Sequence, residues 1–203
     1  PTANTGHLRR EAISLPELLS SKGYTSGLFG KWHLGTLSPD FSGKGAGRKA
    51  KHNFMTPGMA GFSEWFASEF SLATYDPYDP ANGHCAAARK GDMRALFWEN
   101  GKPLAEPLKG CASKMVMDRA LPFISRANEQ NTPFFVAIWF HAPHLPVVGH
   151  PDYMKAHYQD LPDNQQQYFS CITALDTQMG RLRTHLRKLG IENNTMLCLS
   201  LIH

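Results

Sequence analysis

Two runs constrain this chain more than any other feature: "YTSGLFG" at 24–30, rich in β-formers and apolar residues, and "PFFVAIWF" at 133–140, continuously apolar. Both are rich in β-formers and lack the polar alternation of a half-exposed strand, so each reads as a strand buried on both faces. Strands of that kind belong to parallel sheets, which need long crossovers, usually helical. Helical signals occur where such crossovers are required. Ser14 with Glu17 three residues on fits a capping box, Pro16 sits in the permitted first turn, and Gly23 supplies a stop. "SKMVMDRALPFISRANEQ" reads as a helix with a kink or break at Pro122. Tyr168, Ile172, Leu175, Met179, Leu182, Leu186 and Leu189 form an amphipathic stripe closed by Gly190, and such a stripe is core material rather than a cofactor box. "TMLCLSLI" then reads as a third buried strand. The expected fold class is α/β, a mainly parallel sheet with helices on both faces.

The stretch from about 36 to 110 is different, being rich in Gly, Pro, Asp and Asn, and it reads as a loop-rich insertion within one domain. A small hairpin is expected at "LFWENGKPL", where Asn100-Gly101 is a turn signal. With 203 residues, 42% of them hydrophobic, the chain can bury one sizeable core. The net charge of +4 is mild and its cations are scattered except in "GKGAGRKAK", which disfavours nucleic acid as a partner. That basic run lacks the order of a phosphate-binding P-loop and reads as a flexible basic loop. No apolar run approaches the ~20 residues of a membrane span, and "PTANTGHLRR" lacks a signal peptide's apolar core. Cys85, Cys111, Cys171 and Cys198 are dispersed and leave the redox compartment undecided.

Polar chemistry gathers just past the two apolar runs, in "GKWHLG" and "HAPHLP". In open α/β sheets, ligands sit outside the carboxyl ends of the strands, and both segments occupy that edge. Lys31 offers a permanent cation with three donors, while His33, His141 and His144 can donate to an oxyanion or exchange a proton near neutral pH. This set suits a tetrahedral anion. Gly30 and Gly35 permit close backbone approach, and Pro143 and Pro146 stiffen the second loop. Blander readings stand beside these: a turn with a solvated lysine for Lys31, and a zinc site or a capped loop for the histidine pair. Zinc is disfavoured because His141 and His144 lack further Cys, Asp or Glu at metal-like spacing. Trp32 fits buried packing better than a sugar platform.

"GYTSGLFGKWHLG" closely resembles the second signature of the sulfatase family, and "FHAPHLP" with "LDTQMGRLRTHLRKLGIENNT" resembles that family's downstream blocks. "PTANTGHLRREAISLPELL" is similar to the segment leading into the signature, and "NFMTPGMAGFSEWFASEF" to bacterial members of the arylsulfatase A-like or N-acetylgalactosamine-6-sulfatase-like type. The resemblance implies an alkaline phosphatase/sulfatase-like fold and hydrolysis of sulfate esters, of sulfated carbohydrates or aryl sulfates. It further implies that Lys31 contacts the sulfate and the nucleophile, that His33 supports the nucleophile, and that His144 contacts the sulfate. His141 then lines the substrate loop and shapes it. Family members use calcium and a formylglycine nucleophile made by a formylglycine-generating enzyme, and they are commonly periplasmic or secreted.

The pattern also departs from the family. No C-x-P-S-R-like stretch precedes Lys31, and "CAAAR" at Cys85 to Arg89 lies downstream, outside a strand-to-helix context, and reads as coincidence. The family's calcium is held by an acidic pair expected before Pro1 and an Asp-Asn pair expected where Ile202 and His203 stand; an apolar side chain cannot serve a hard cation. The expectation is a partial sulfatase catalytic domain over 1–203, incomplete at both ends and inactive alone. Alternatives are a non-catalytic binder of sulfate or sulfated glycans and a phosphoester or phosphonate hydrolase of the same superfamily.

Overall fold

The computed structural model describes residues 6–42, 49–82, 96–104 and 106–200. Its elements are α1 (Leu15–Ser20), β1 (Thr25–Lys31), β2 (Glu64–Ser68), β3 (Trp98–Glu99), β4 (Lys102–Pro103), α2 (Ala112–Glu129), β5 (Phe134–Trp139) and α3 (Asp163–Lys188). The sheet has five strands in the order β4-β3-β2-β1-β5. β1 lies between β2 and β5 and is parallel to both, with Lys31 opposite Ser68 and Gly30 opposite Trp139. The five interior residues of β1 are buried. Leu28, Phe29 and Phe66 are wholly buried, and each such side chain contributes about 1.5–3 kcal/mol of transfer free energy. β3 and β4 form the expected hairpin, with Asn100 and Gly101 at φ 47° and 87°, the left-handed pair that a two-residue turn requires.

Helices α2 and α3 cover one face. Met115, Val116, Ala120, Phe123 and Ile124 of α2 join Leu182 and Leu186 of α3 over Phe29 and Phe66. α2 runs through Pro122 as one helix, so the proline ends nothing. It descends from Cys111, which bridges Tyr75 beyond the end of β2, to Pro133, whose carbonyl accepts from the Thr25 amide at the start of β1. Its N-terminus therefore lies at the carboxyl edge of the parallel strands. The other face is covered mainly by the chain between 32 and 62, through Trp32, Leu37, Met55, Ala60 and Phe62. Helix α1 is fastened to this layer by the Ser14 hydroxyl, which donates to the Ala60 carbonyl, and the expected Ser14–Glu17 capping box is complete.

Four features differ from the sequence reading. β5 lies at the sheet edge and is buried only at Ala137, with Trp139 exposed, because no further strand covers its free side among the described residues. Within the loop-rich stretch, β2 is a full member of the parallel sheet; "EWFAS" is short and polar at both ends, which hides it from pattern analysis. Residues 195–200 form no strand, and Met196 and Leu199 are 89% and 68% exposed. An apolar run becomes a strand only against a ladder partner, and this one pairs with no strand among the described residues. Finally, the buried face of α3 rotates along its length: Leu182 and Leu186 follow the predicted stripe, whereas earlier it is Ser170, Cys171, Ala174 and Gln178 that are buried, and Tyr168 and Ile172 are exposed.

Gly30 has φ 117°, a conformation L side chains rarely adopt, and a Cβ there would collide with the Trp139 carbonyl. Gly30→Ala is expected to destabilise the chain far more than Ser14→Ala, which should cost about 1 kcal/mol through the lost cap. Urea unfolding of both variants checks this, and equal midpoints would contradict it.

Candidate active site

Because β1, β2 and β5 are parallel, their carboxyl ends share one edge of the sheet, and Lys31, Ser68 and the loop after Trp139 meet there. Lys31 is half-buried at the end of β1, and burial pushes its pKa down from the ordinary value. Among the described residues no carboxylate forms an ion pair with it. A partly desolvated cation without a counter-charge is costly to maintain, and an arriving anion relieves that cost.

His141 lies beneath this edge, 1% exposed. The Leu72 amide donates to its Nδ1 at 3.2 Å, which leaves the proton on Nε2, facing the Ser68 hydroxyl oxygen at 3.5 Å. Ser68 in turn donates to the Phe70 carbonyl at 2.7 Å, so the buried chain of donors and acceptors is satisfied with a neutral imidazole. Burial first, then the charges of Lys31 and His144, push the His141 pKa down to about 3. His141 thus ties the "HAPHLP" loop to the end of β2.

His144 stands exposed on that loop, its amide donating to the His141 carbonyl and its Nδ1 2.6 Å from the Leu145 carbonyl. With Nδ1 engaged in this way, Nε2 is the ring nitrogen left for a ligand. The Ala142–Pro143 and Leu145–Pro146 peptides are cis. Further along, Thr74 and Val148 exchange two bonds, Thr74 Oγ1 donating to the Val148 carbonyl and accepting from its amide, which fixes the far end of the loop.

On the β1 side, Trp32 is the anchor. It is 2% exposed, its amide donates to the Ser68 carbonyl, its indole N–H donates to the Met55 carbonyl at 2.6 Å, and its ring stacks on Trp139. This is packing and not a sugar platform. His33 follows at φ 55°, a left-handed conformation unusual outside glycine, held between Trp32 and Leu34, whose carbonyl accepts from the Leu8 amide. Gly35 is needed because a Cβ there would collide with the Met55 carbonyl; the close approach is to the protein's own backbone.

Two polar residues at this edge escape sequence reasoning. Ser68 is fully buried and faces His141, and Glu69 is 3% exposed and accepts from the Ser42 hydroxyl at 2.8 Å. Their only sequence signal is a glutamate inside an aromatic stretch, which without β2 has no place in the sheet. "CAAAR" at Cys85 to Arg89 and most of "GKGAGRKAK" lie outside the described residues. Among the described residues no group of three His, Cys, Asp or Glu could hold a metal ion, so the calcium that the resemblance implies has no ligand set here.

Comparison with known proteins agrees with this architecture. The family model described as Sulfatase matches residues 1–200. N-acetylgalactosamine-6-sulfatase of Mus musculus is 29% identical over 182 residues, covering 89% of this chain and 31% of that protein. The "Uncharacterized sulfatase YdeN" of Escherichia coli K12 is 25% identical over 184 residues, covering 90% of this chain and 31% of the relative. The chain therefore spans about a third of the length of these curated relatives. Among solved structures, Ps i-CgsB in complex with k-i-k-neocarrahexaose superposes with a TM-score of 0.70 at 20% identity, over 93% of this chain and 39% of that one. BT4656 in complex with its substrate D-glucosamine-2-N,6-O-disulfate gives 0.61 at 18% identity, over 95% and 50%. A parallel sheet with this edge and a family match over nearly its whole length lead to one conclusion: the chain belongs to the sulfatase family.

Proposed function

We propose that the protein of which this chain forms a part hydrolyses sulfate esters of carbohydrates, with Lys31 and His144 holding the sulfate group and His33 and His141 shaping the site. One observation carries this reading: a half-buried lysine with no acidic partner among the described residues and an exposed imidazole stand at the same sheet edge, joined through buried His141. The N-acetylgalactosamine-6-sulfatase relatives support a sulfated sugar as substrate.

In this reading the Lys31 ammonium neutralises the non-bridging sulfate oxygens and orients the ester. As the S–O bond breaks, negative charge moves onto the leaving oxygen, and fixed donors at the edge stabilise it without reorganising. His144, with both ring nitrogens protonated, donates Nε2–H to a sulfate oxygen. His141 stays neutral, so it adds no cation to the site and serves as a rigid post for the loop. A formylglycine nucleophile and a calcium ion would supply attack and further polarisation in the family's chemistry; among the described residues no group of three His, Cys, Asp or Glu could hold the metal. The partners of the whole protein are then a sulfated carbohydrate or aryl sulfate and a formylglycine-generating enzyme. Its compartment is the periplasm or the exterior. No described helix is long and apolar enough to cross a membrane.

In the full-length enzyme, matured with its aldehyde, Lys31→Ala and His144→Ala should each lower aryl sulfate turnover by roughly a hundredfold or more, the scale lost with one preorganised donor. Unchanged turnover in either variant would remove that residue from the site, and sulfate binding with no turnover in the matured parent would favour a binding protein instead.

His141 generates a pH prediction. Its folded pKa of about 3 lies below the ordinary 6.5, so the unfolded chain binds the extra proton first as pH falls. Its contribution is fully present above pH ~6.5 and is lost progressively toward pH ~3. Urea unfolding at pH 7 and pH 5 should show a smaller loss of stability in His141→Gln than in the unsubstituted chain; equal losses would contradict the buried neutral imidazole.

A further inference from the structure

A second cationic feature lies apart from Lys31 and His144. Between the first turns of α2, the middle of α3 and the helical turn Pro151–Tyr153 is a cavity of about 200 Å³, lined by Cys111, Lys114, His150, Tyr153, Gln178 and Arg181 among others. That is smaller than the ~300–1,000 Å³ of pockets that enclose a whole drug-sized ligand, so it suits one functional group of a larger molecule. The N-terminus of α2 lies at the carboxyl edge of the sheet, and His150 follows the "HAPHLP" loop directly. The cavity and the sulfate edge therefore open on the same end of the fold.

Its chemistry selects an anion. Lys114 and Arg181 bring two positive charges, paired with Asp118, whose Oδ2 accepts from Lys114 at 2.6 Å and whose Oδ1 accepts from Arg181 at 2.8 Å; Asp152, on the turn beside His150, is a further carboxylate near the cavity. The Arg181 side chain is 36% exposed and also donates to buried Gln178 Oε1, which fixes its guanidinium. Cys111 is the N-cap of the 18-residue α2 and provides no side-chain cap hydrogen bond; the positive end of the helix dipole faces this region. His150 Nδ1 is buried with no hydrogen-bond partner while the ring packs between Tyr75 and Tyr153.

We propose that this cavity is an accessory subsite for a second sulfate group of a polysulfated glycan, whose reacting sulfate lies at Lys31. The assignment of the glycan rests on the function proposed above; the anion subsite rests on the cavity itself. Asp118 is the internal competitor, occupying in the empty site the cations that the sulfate would take. Neutralising Asp118 should therefore strengthen anion binding while neutralising Arg181 weakens it, whereas residues that only brace α2 against α3 would move both in the same direction.

Amide NMR of the chain titrated with inorganic sulfate tests the site, reading Ser113, Lys114 and His150. Arg181→Gln should weaken binding at these amides at least fivefold, Asp118→Asn should tighten it, and Lys31→Ala should leave it intact. A disulfated disaccharide should bind at least tenfold more tightly than its monosulfated counterpart, an advantage lost in Arg181→Gln. No shifts at these amides, or both variants shifting affinity the same way, would overturn the subsite. Equal affinity for the two sugars would overturn its place in glycan recognition, and loss of turnover in the parent's Lys31 variant bears on neither result.

Discussion

The parallel pairing of β1 with β2 on one side and β5 on the other is the constraint on which the rest of this structure depends. It alone brings residues more than a hundred positions apart, Lys31 and His141, to one edge, because parallel strands end together. The pairing is tight enough that Gly30 has no room for a side chain against Trp139. Trp32, immediately beyond β1, then bonds to Ser68 and Met55 and stacks on Trp139, so the three carboxyl ends and the covering layer are locked at a single residue. A shift of one residue in the register would separate Lys31 from Ser68 and dismantle the edge.

Charge is distributed unevenly over that edge. Lys31 keeps its cation partly out of water with no carboxylate ion-paired to it among the described residues, while His141, the most buried polar ring nearby, is kept neutral by burial and by the charge of Lys31. A second protonated group at His141 would repel the first. In the proposed site, the cost of leaving Lys31 uncompensated would be offset by a bound anion, in contrast to an ion pair such as Arg126 with Glu64.

Much of this was legible in the sequence, and for physical reasons. Strands rich in apolar and β-forming residues stand out in a sequence, so β1 and β5 were readable to within a residue, although β5, at the sheet edge, is buried only at Ala137 and not on both faces; local signals such as the Ser14 capping box and the Asn100-Gly101 turn need no tertiary context. Lys31 and the histidine loop followed from their place after those runs. What was hidden depends on partners. β2 is five residues long and acquires its identity from pairing with β1, so Ser68 and Glu69 could not be placed. "TMLCLS" carries the composition of a strand but meets no ladder partner. On α3, the change of buried face comes from packing against the 149–158 segment, with Gly149 donating to Gln167 and His150 to Ser170, contacts no helical period encodes.

Selenate, a sulfate analogue that scatters anomalously, offers the most direct measurement of the central claim, that Lys31 and His144 converge on one tetrahedral anion. Crystals of the chain soaked in selenate should give an anomalous peak within hydrogen-bonding distance of both Lys31 Nζ and the His144 ring. Selenate bound elsewhere with that edge empty, or Lys31 Nζ found on a carboxylate, would contradict it.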